Sequence, residues 1–418
     1  MSPAVTNAVT NTARTVRVLQ VDGPRRMRLT DLPDAELVPG RFRVDTLASG
    51  VSLGTEMSWY RGTNPALHAH WDAELGLFRP GEPSARWPVQ RFGYMQVGIV
   101  TASRFAPVAE GARVGMTYGH RGGHTADGRA ERAVVLPEDV SDRLGVLVAH
   151  MGPICANGLL HAAHDARGAA VHGLGDGVCG REVVVIGAGT VGLLTGMFAR
   201  AHGAAEVVVV DPTPERLTAA EGLGLTALTA SDDVAEQVKL RFRHAPGDRG
   251  AGVVFQCRGQ SAALALALRC ARPQGVVVDM AFYDGGADDL RLGEEFHHNG
   301  LALRCAQIGR VPRGLAPTWD RERLSRETLD LVRAHGTVLD RHLLPDDVAF
   351  DEAPRLFAGV DARTRPARGV VLRFPGVPTS ADRPAHDPDH DDDPDHDDDP
   401  DDDDPDDDDD PDDDDPRR

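Results

Sequence analysis

Cysteine is scarce in this 418-residue chain: there are five, an odd number, all between positions 155 and 305 and none in a CxxC pair. Such a set builds no disulfide framework, and it points to a reducing, cytoplasmic setting. Nowhere do 18 apolar residues run together, so no membrane span is expected. The closest approach, the uncharged stretch 183–199, is broken by glycines whose spacing carries another meaning. The opening residues MSPAVTNAVTNTAR lack the apolar stretch of a secretory signal. Hydrophobic residues nevertheless make up 41% of the chain and charged residues 26%, which fits a soluble protein large enough for about two or three domains.

A basic footprint for nucleic acid is missing too. The formal net charge is −20, and 22 aspartates between 387 and 415, offset only by Arg417 and Arg418, account for all of it. The other 386 residues sum to zero. A neutral body with an acidic end repels phosphate backbones, so no nucleic-acid partner is expected. Residues 375–418 read as a linker followed by an Asp, Pro and His repeat, predicted to be disordered because like charges repel and little apolar surface is there to bury. Within it, His386, His390 and His396 are candidates for weak divalent-cation binding.

The body divides by pattern. Residues 16–21, 27–32, 41–48, 97–103, 112–118 and 132–137 have the partial alternation of half-buried strands with Gly and Pro between them, and predict an all-β half, a small barrel. The intervening 59–87 has no clear period and is long enough to cover or form a site. From 182 the text changes to continuous Val and Ile runs alternating with helical stretches, the mark of parallel strands buried on both faces. Helices are predicted over 153–166, 261–271, 321–336 (ending at Gly336) and 350–357, with strands at 252–257, 275–281, 301–307 and 369–374. The last elements are expected to complete the β half, which makes that domain discontinuous: 14–160, then a doubly wound domain at 161–303, a return segment at 304–374 and the tail from 375.

The sharpest signal is Gly187-Ala188-Gly189-Thr190-Val191-Gly192 directly after the strand 182–186. Gly187 permits the tight turn, Gly189 lets a diphosphate approach the backbone, and Gly192 lets the next helix pack on the sheet. The N-terminus of that helix offers free N–H groups to the phosphates. Asp211, at the end of the next strand and 24 residues after Gly187, is placed to accept the hydrogen bonds of an adenosine ribose and to repel a 2′-phosphate. That favours NAD over NADP; Arg216, placed to stack on adenine or pair locally, keeps NADP as the lesser option. Cys257 and Gly259 follow a further strand and belong to the same crest, with Cys257 more suited to packing than to nucleophilic attack.

In this order, Ala48-Ser49-Gly50-Val51-Ser52-Leu53-Gly54-Thr55-Glu56, Gly93-Tyr94-Met95-Gln96-Val97-Gly98, Gly111-Ala112-Arg113-Val114 and the Gly187 turn with Asp211 resemble the medium-chain dehydrogenase/reductase family. The resemblance covers roughly 14–374. It implies a GroES-like (chaperonin-10-like) barrel around a nicotinamide-binding Rossmann domain, and a homodimer. The zinc enzymes of that family hold their metal where this chain has Ser52, Tyr94 in Gly93-Tyr94-Met95, and Gly152-Pro153. None of these is a soft or anionic donor, and no cysteine precedes Cys155 to build a structural zinc lobe. The Ser-x-Gly-Thr-Glu loop is similar to that of a zinc-lacking branch that includes a bacteriochlorophyllide hydroxyethyl dehydrogenase and other biosynthetic alcohol dehydrogenases. The segment 297–309 resembles the one that re-enters the barrel there.

The resemblance therefore implies zinc-independent, NAD-dependent interconversion of a secondary alcohol and a ketone on a small polar or specialised-metabolite substrate. Without a metal, hydrogen-bond donors or a general acid/base must manage the substrate oxygen. Tyr94 is a candidate donor. Glu56 is a candidate proton acceptor or ribose ligand, with Thr55 and Ser52 relaying. Tyr60, His68 and His70 are candidates for the pocket wall and His297 and His298 for proton transfer, while His120, His172 and His202 read as structural or incidental. Two other functions stay open: a zinc-free NADPH-dependent enoyl or quinone reductase, and a dinucleotide-binding sensor or scaffold without turnover.

Overall fold

Strands written as unbroken Val and Ile need cover on both faces, and the chain supplies it with a six-stranded parallel sheet. The computed structural model describes residues 14–283 and 285–376; the aspartate-rich tail and its three histidines lie outside the described residues. Across the sheet the strands run Thr226–Thr229, Glu206–Asp211, Glu182–Ile186, Ala251–Gln256, Ala271–Asp279 and Ala302–Cys305. In chain order this is the doubly wound 3-2-1-4-5-6 arrangement, whose direction reverses between Glu182–Ile186 and Ala251–Gln256. Val183 sits beside Val207 on one side and Val253 on the other. All three are buried.

One expected placement changes here. The strand at 302–305 does not join the β half: Ala302 pairs in parallel with Val276, so it forms the edge of the Rossmann sheet and the chain leaves that sheet after Cys305 rather than at 303. Its mostly exposed side chains suit an edge strand.

The GroES-like half is a seven-stranded sheet in the order Asp346–Ala349, Val370–Arg373, Arg41–Gly50, Gln96–Ser103, Arg113–Met116 and Val134–Val135, with Gly123–Asp127 paired to Arg41–Gly50. Thr15–Gly23 and Arg26–Pro33 form a hairpin beside it. Two of its strands are thus contributed after the Rossmann domain, which the return segment requires. The segment 59–87 holds more structure than its sequence pattern suggested: the end of helix α1 (Leu53–Arg61), a short 3-10 turn Pro65–Leu67, and the hairpin His70–Asp72 with Leu77–Arg79.

Helix α2 (Gly152–Arg167) joins the halves, packing on α3 (Thr190–Ala201), on α4 (Arg321–Leu343) and on the strand Ala271–Asp279. Its small residues allow the approach: a Cβ on Gly158 would fall 2.6 Å from the Met280 sulfur. The helical run Asp142–Arg167 is long and apolar enough to cross a membrane by length and composition, but 83% of its apolar window is buried inside the fold, as a central helix requires. Helix α4 does not stop at Gly336. A kink at His335 (φ −129°, ψ 16°) re-aims it, and it continues to Leu343 because Leu339 and Leu343 extend its buried stripe.

Candidate active site

A cleft of about 260 Å³ opens where the crest of the parallel sheet faces the β half. On the Rossmann side the glycine turn is built as backbone geometry demands. Gly187 has φ +102°, a region that side chains strain to enter, and a Cβ on Gly192 would lie 1.8 Å from the Gly187 carbonyl oxygen. Gly192 thus lets α3 lie against the strand it follows. Gly189 is different: a Cβ there would meet no atom within 4 Å, because it would project into the cleft. Thr190 and Val191 open α3 at the same wall, and no side chain caps the helix, so its first N–H groups and its positive end face the cleft.

Asp211 fastens this turn. Its buried carboxylate accepts the Ala188 N–H at 2.9 Å through Oδ2 and the Thr213 N–H at 2.9 Å through Oδ1. Each oxygen keeps a second lone pair. Arg216 lies over it, Nη1 at 3.7 Å from Oδ2. Arg258 and Arg368 join Arg216 along the rim. Arg368 donates to the Glu215 carbonyl through Nη1, whereas its buried Nε has no partner among the described residues. An open crevice over Gly189, an uncapped helix end, a buried carboxylate and an unpaired guanidinium N–H fit a dinucleotide. Cys257 and Gly259 line the same wall. Burial pushes the Cys257 thiol well above its ordinary value, with Cys155 and Asp279 adding to the effect, so it is no nucleophile near neutrality.

On the β side, Ser52, Leu53, Gly54 and Thr55 present the start of α1 to the cleft, and no side chain bonds from the Ser52 cap. Tyr94 Oη donates to Ser52 Oγ at 2.5 Å and lies 3.5 Å from Thr55 Oγ1. Burial drives the Tyr94 phenol up to about 12, against the opposing pull of the Ser52 and Thr55 hydrogen bonds. It is a donor and not a base. The imidazole of His150 stands edge-on to the Tyr94 ring, centroids 4.6 Å apart, in the π turn Leu147–Met151. Burial, then Arg321 and Arg132, pull His150 down to about 3. It is neutral, and because Arg321 donates to Nδ1 its proton resides on Nε2.

Glu56 does not reach the cleft. It is buried behind α1, where Oε1 accepts the Ser52 N–H at 2.9 Å and Oε2 lies 2.9 Å from His120 Nε2. His120 Nδ1 in turn lies 2.7 Å from Ser49 Oγ, to which Gln96 donates at 3.0 Å. Gly93 makes room for this ring: with φ +86°, its Cβ would sit 2.4 Å from His120 Nε2. Glu56 is therefore a positioning residue that holds the first turn of α1, and His120 is its partner rather than an incidental histidine. Tyr60 packs in the core against Phe357, centroids 5.9 Å apart. His68 Nε2 lies 2.7 Å from the Gly62 carbonyl oxygen, His70 is on the exposed hairpin, and His297 and His298 are exposed away from the cleft.

Sequence reasoning missed Arg258, Arg368 and His150. Arg258 stands between the two crest residues it did name, and position alone could have found it; Arg368 precedes the closing strand without any local pattern. As to zinc, the donors at the expected places are two neutral hydroxyls bonded to each other and a glycine, Gly152, whose Cβ would strike the Thr328 side chain at 2.1 Å. That donor set does not fit the ion.

Comparison with known proteins agrees with this architecture. Residues 190–315 match the family described as Zinc-binding dehydrogenase. D-guloside 3-dehydrogenase of Escherichia coli (strain K12) is 22% identical over 347 residues, covering 82% of this chain and 95% of that protein. Sorbitol dehydrogenase 1 of Saccharomyces cerevisiae is 32% identical over 158 residues, 37% of this chain and 43% of that one. Among solved structures, a putative zinc-binding dehydrogenase from Sinorhizobium meliloti 1021 bound to NADP superposes with a TM-score of 0.62 at 19% identity, covering 86% of this chain and 99% of the other.

Proposed function

We propose that this chain, which resembles the medium-chain zinc-type dehydrogenases, interconverts a secondary alcohol and a ketone on a small polar substrate, with NAD as hydride carrier and without zinc. The observation that carries the reading is one cleft in which the Gly187–Gly189 turn and the Ser52, Thr55 and Tyr94 hydroxyls face each other. The relatives' names, a guloside dehydrogenase and a sorbitol dehydrogenase, support a polyol-like substrate. A bound nicotinamide would supply or accept the hydride, and the accompanying proton would pass between the substrate oxygen and water through the Tyr94, Ser52 and Thr55 hydroxyls.

The chain's own residues do the rest. The α3 N-terminus, Asp211 and the arginine rim bind and orient the dinucleotide. Asp211 retains lone pairs for a ribose diol, which favours NAD. At the inner end, Tyr94 donates a hydrogen bond to the substrate oxygen, and the start of α1 lends its positive end to negative charge developing there. Met151, Ile154 and Met280 surround this end with apolar surface and thin out the water. Glu56 and His120 keep Ser52 and Thr55 in register from behind. To meet a ketone the single Tyr94 O–H turns from Ser52 Oγ to the substrate oxygen.

Titration with NADH and NADPH, followed by a screen of polyols, their ketones and conjugated enones at 340 nm, tests this. Saturable NADH binding with turnover of alcohol or ketone is expected. Turnover of enones alone, or binding with no hydride exchange, overturns the assignment.

A further inference from the structure

We propose that the aspartate-rich tail of this chain, residues 387–415, docks on an arginine-lined chamber at the outer mouth of the cleft and competes there with the phosphates of the cofactor. The chamber holds about 880 Å³ and is continuous with the cleft through Leu53, Gly54, Arg216, Arg258 and Arg368. Six arginines line it, Arg61, Arg216, Arg258, Arg363, Arg365 and Arg368, against two carboxylates, Glu215 and Asp346. In a body whose formal charge is zero, this is a local excess of cations.

Part of that excess is uncommitted. Arg61 pairs with Asp361 and the Arg368 backbone N–H with Asp346. Arg363 and Arg365 are exposed, and neither has a side-chain ion pair among the described residues. The buried Arg368 Nε has no partner among the described residues. Guanidinium forks match carboxylates, and this chain carries 22 of them in its last 32 residues.

The chain path brings the two together. Arg368 lies two residues before the final strand Val370–Arg373, and the described chain ends at Gly376. The eight residues from Arg368 to Gly376 carry the chain at most about 28 Å away from the chamber. The ten residues 377–386 span up to roughly 35 Å when extended, enough to return the first aspartates to it. A tether of this length gives an effective concentration on the order of millimolar, at which weak surface ion pairs add up. The docking itself stands on charge and chain path; its effect on the cofactor rests on the dinucleotide reading above.

Two measurements on soluble protein test it. NADH affinity is compared for the full chain and for a chain ending at Ala385, which keeps every described strand and helix, at about 20 mM and about 500 mM NaCl, where the Debye length falls from roughly 20 Å to about 4 Å. The full chain is expected to bind NADH about threefold to tenfold more weakly at low salt, with the gap closing at high salt. Arg363→Ser with Arg365→Ser in the full chain closes most of the gap. Separately, a fluorescein-labelled peptide of residues 387–415 is expected to bind the shortened chain by anisotropy, and to bind its Arg363→Ser, Arg365→Ser variant several-fold more weakly. Equal NADH affinities for both chains at low salt, or peptide binding indifferent to the two substitutions, overturns the proposal. Peptide binding that depends on the arginines, with no NADH binding to either chain, keeps the docking and sinks the dinucleotide reading instead.

Discussion

Replacing Tyr94 with Phe removes one oxygen and leaves the ring against His150. The hydroxyl donates to Ser52 in the free protein, so the stability cost is that of one hydrogen bond with a hydroxyl partner, about 0.5–1.5 kcal/mol. On the proposed mechanism the catalytic cost is larger, because the same O–H then turns to an oxygen that gains charge. Removing one preorganised donor of that kind lowers kcat about 10²- to 10³-fold, about 2.7–4 kcal/mol. NADH binding should not change, since Tyr94 sits at the substrate end, away from Asp211 and the Gly187 turn. Stopped-flow absorbance at 340 nm under single-turnover conditions measures the step, and fluorescence titration measures NADH affinity. The pH profile adds a second check: with the phenol raised to about 12, Tyr94 stays protonated throughout pH 6–9, so ketone reduction should show no ionisation in that range that vanishes in Tyr94→Phe. A rate within about threefold of wild type, or loss of a near-neutral ionisation in the variant, refutes the assignment of Tyr94 as donor.

Two glycines of the same turn should separate stability from binding. Gly189→Ala places its methyl in open space at an ordinary φ of −81°, so the melting temperature should hold, while cofactor affinity falls at least about tenfold. Gly192→Ala forces a Cβ to within 1.8 Å of the Gly187 carbonyl oxygen, and should lower stability by about 3 kcal/mol or more in a urea melt. His150 is held near 3 when folded and titrates near 6.5 when unfolded, so the unfolded chain alone takes up this proton as pH falls; its contribution is intact above about pH 6.5 and declines by up to about 1.4 kcal/mol per pH unit toward pH 3. His150→Gln should flatten that slope in denaturant melts run from pH 7 to pH 5. Iodoacetamide at pH 7.5 should label exposed Cys179 and spare Cys257, whose thiol burial keeps protonated; mass spectrometry of the labelled peptides decides it.

What could be read from the sequence follows from how far each constraint reaches along the chain. The glycine turn was legible because its demands are local: a positive φ at Gly187 and a helix pressed on a strand at Gly192 leave their mark within six residues. The parallel sheet was legible for the same reason, since burial on both faces writes itself as unbroken Val and Ile. The edge strand at 302–305 was assigned to the wrong sheet because pairing partners 26 residues away leave no local sign. Helix α4 outran Gly336 because tertiary burial of Leu339 and Leu343 outweighs the local cost of a glycine. Arg258, Arg368 and His150 were missed because an arginine or histidine becomes part of a site only through what the fold sets opposite it.

Glu56 carries the more instructive difference. It lies in the first turn of α1, but its place in the sequence cannot say on which side of that turn the carboxylate lies. The answer is in Gly93, whose φ of +86° and missing Cβ leave exactly enough space for His120 to reach Glu56. The same Gly93 directs the next residue, Tyr94, toward Ser52. A single glycine thus allows a carboxylate–imidazole pair behind the helix and a phenol in front of it, and both converge on Ser52, one through its N–H and the other through its hydroxyl. On the proposed zinc-free reading, the site fixes its donor by clamping one serine from two sides where a metal would hold the substrate oxygen by coordination, so its precision would depend on buried residues that do not line the cleft.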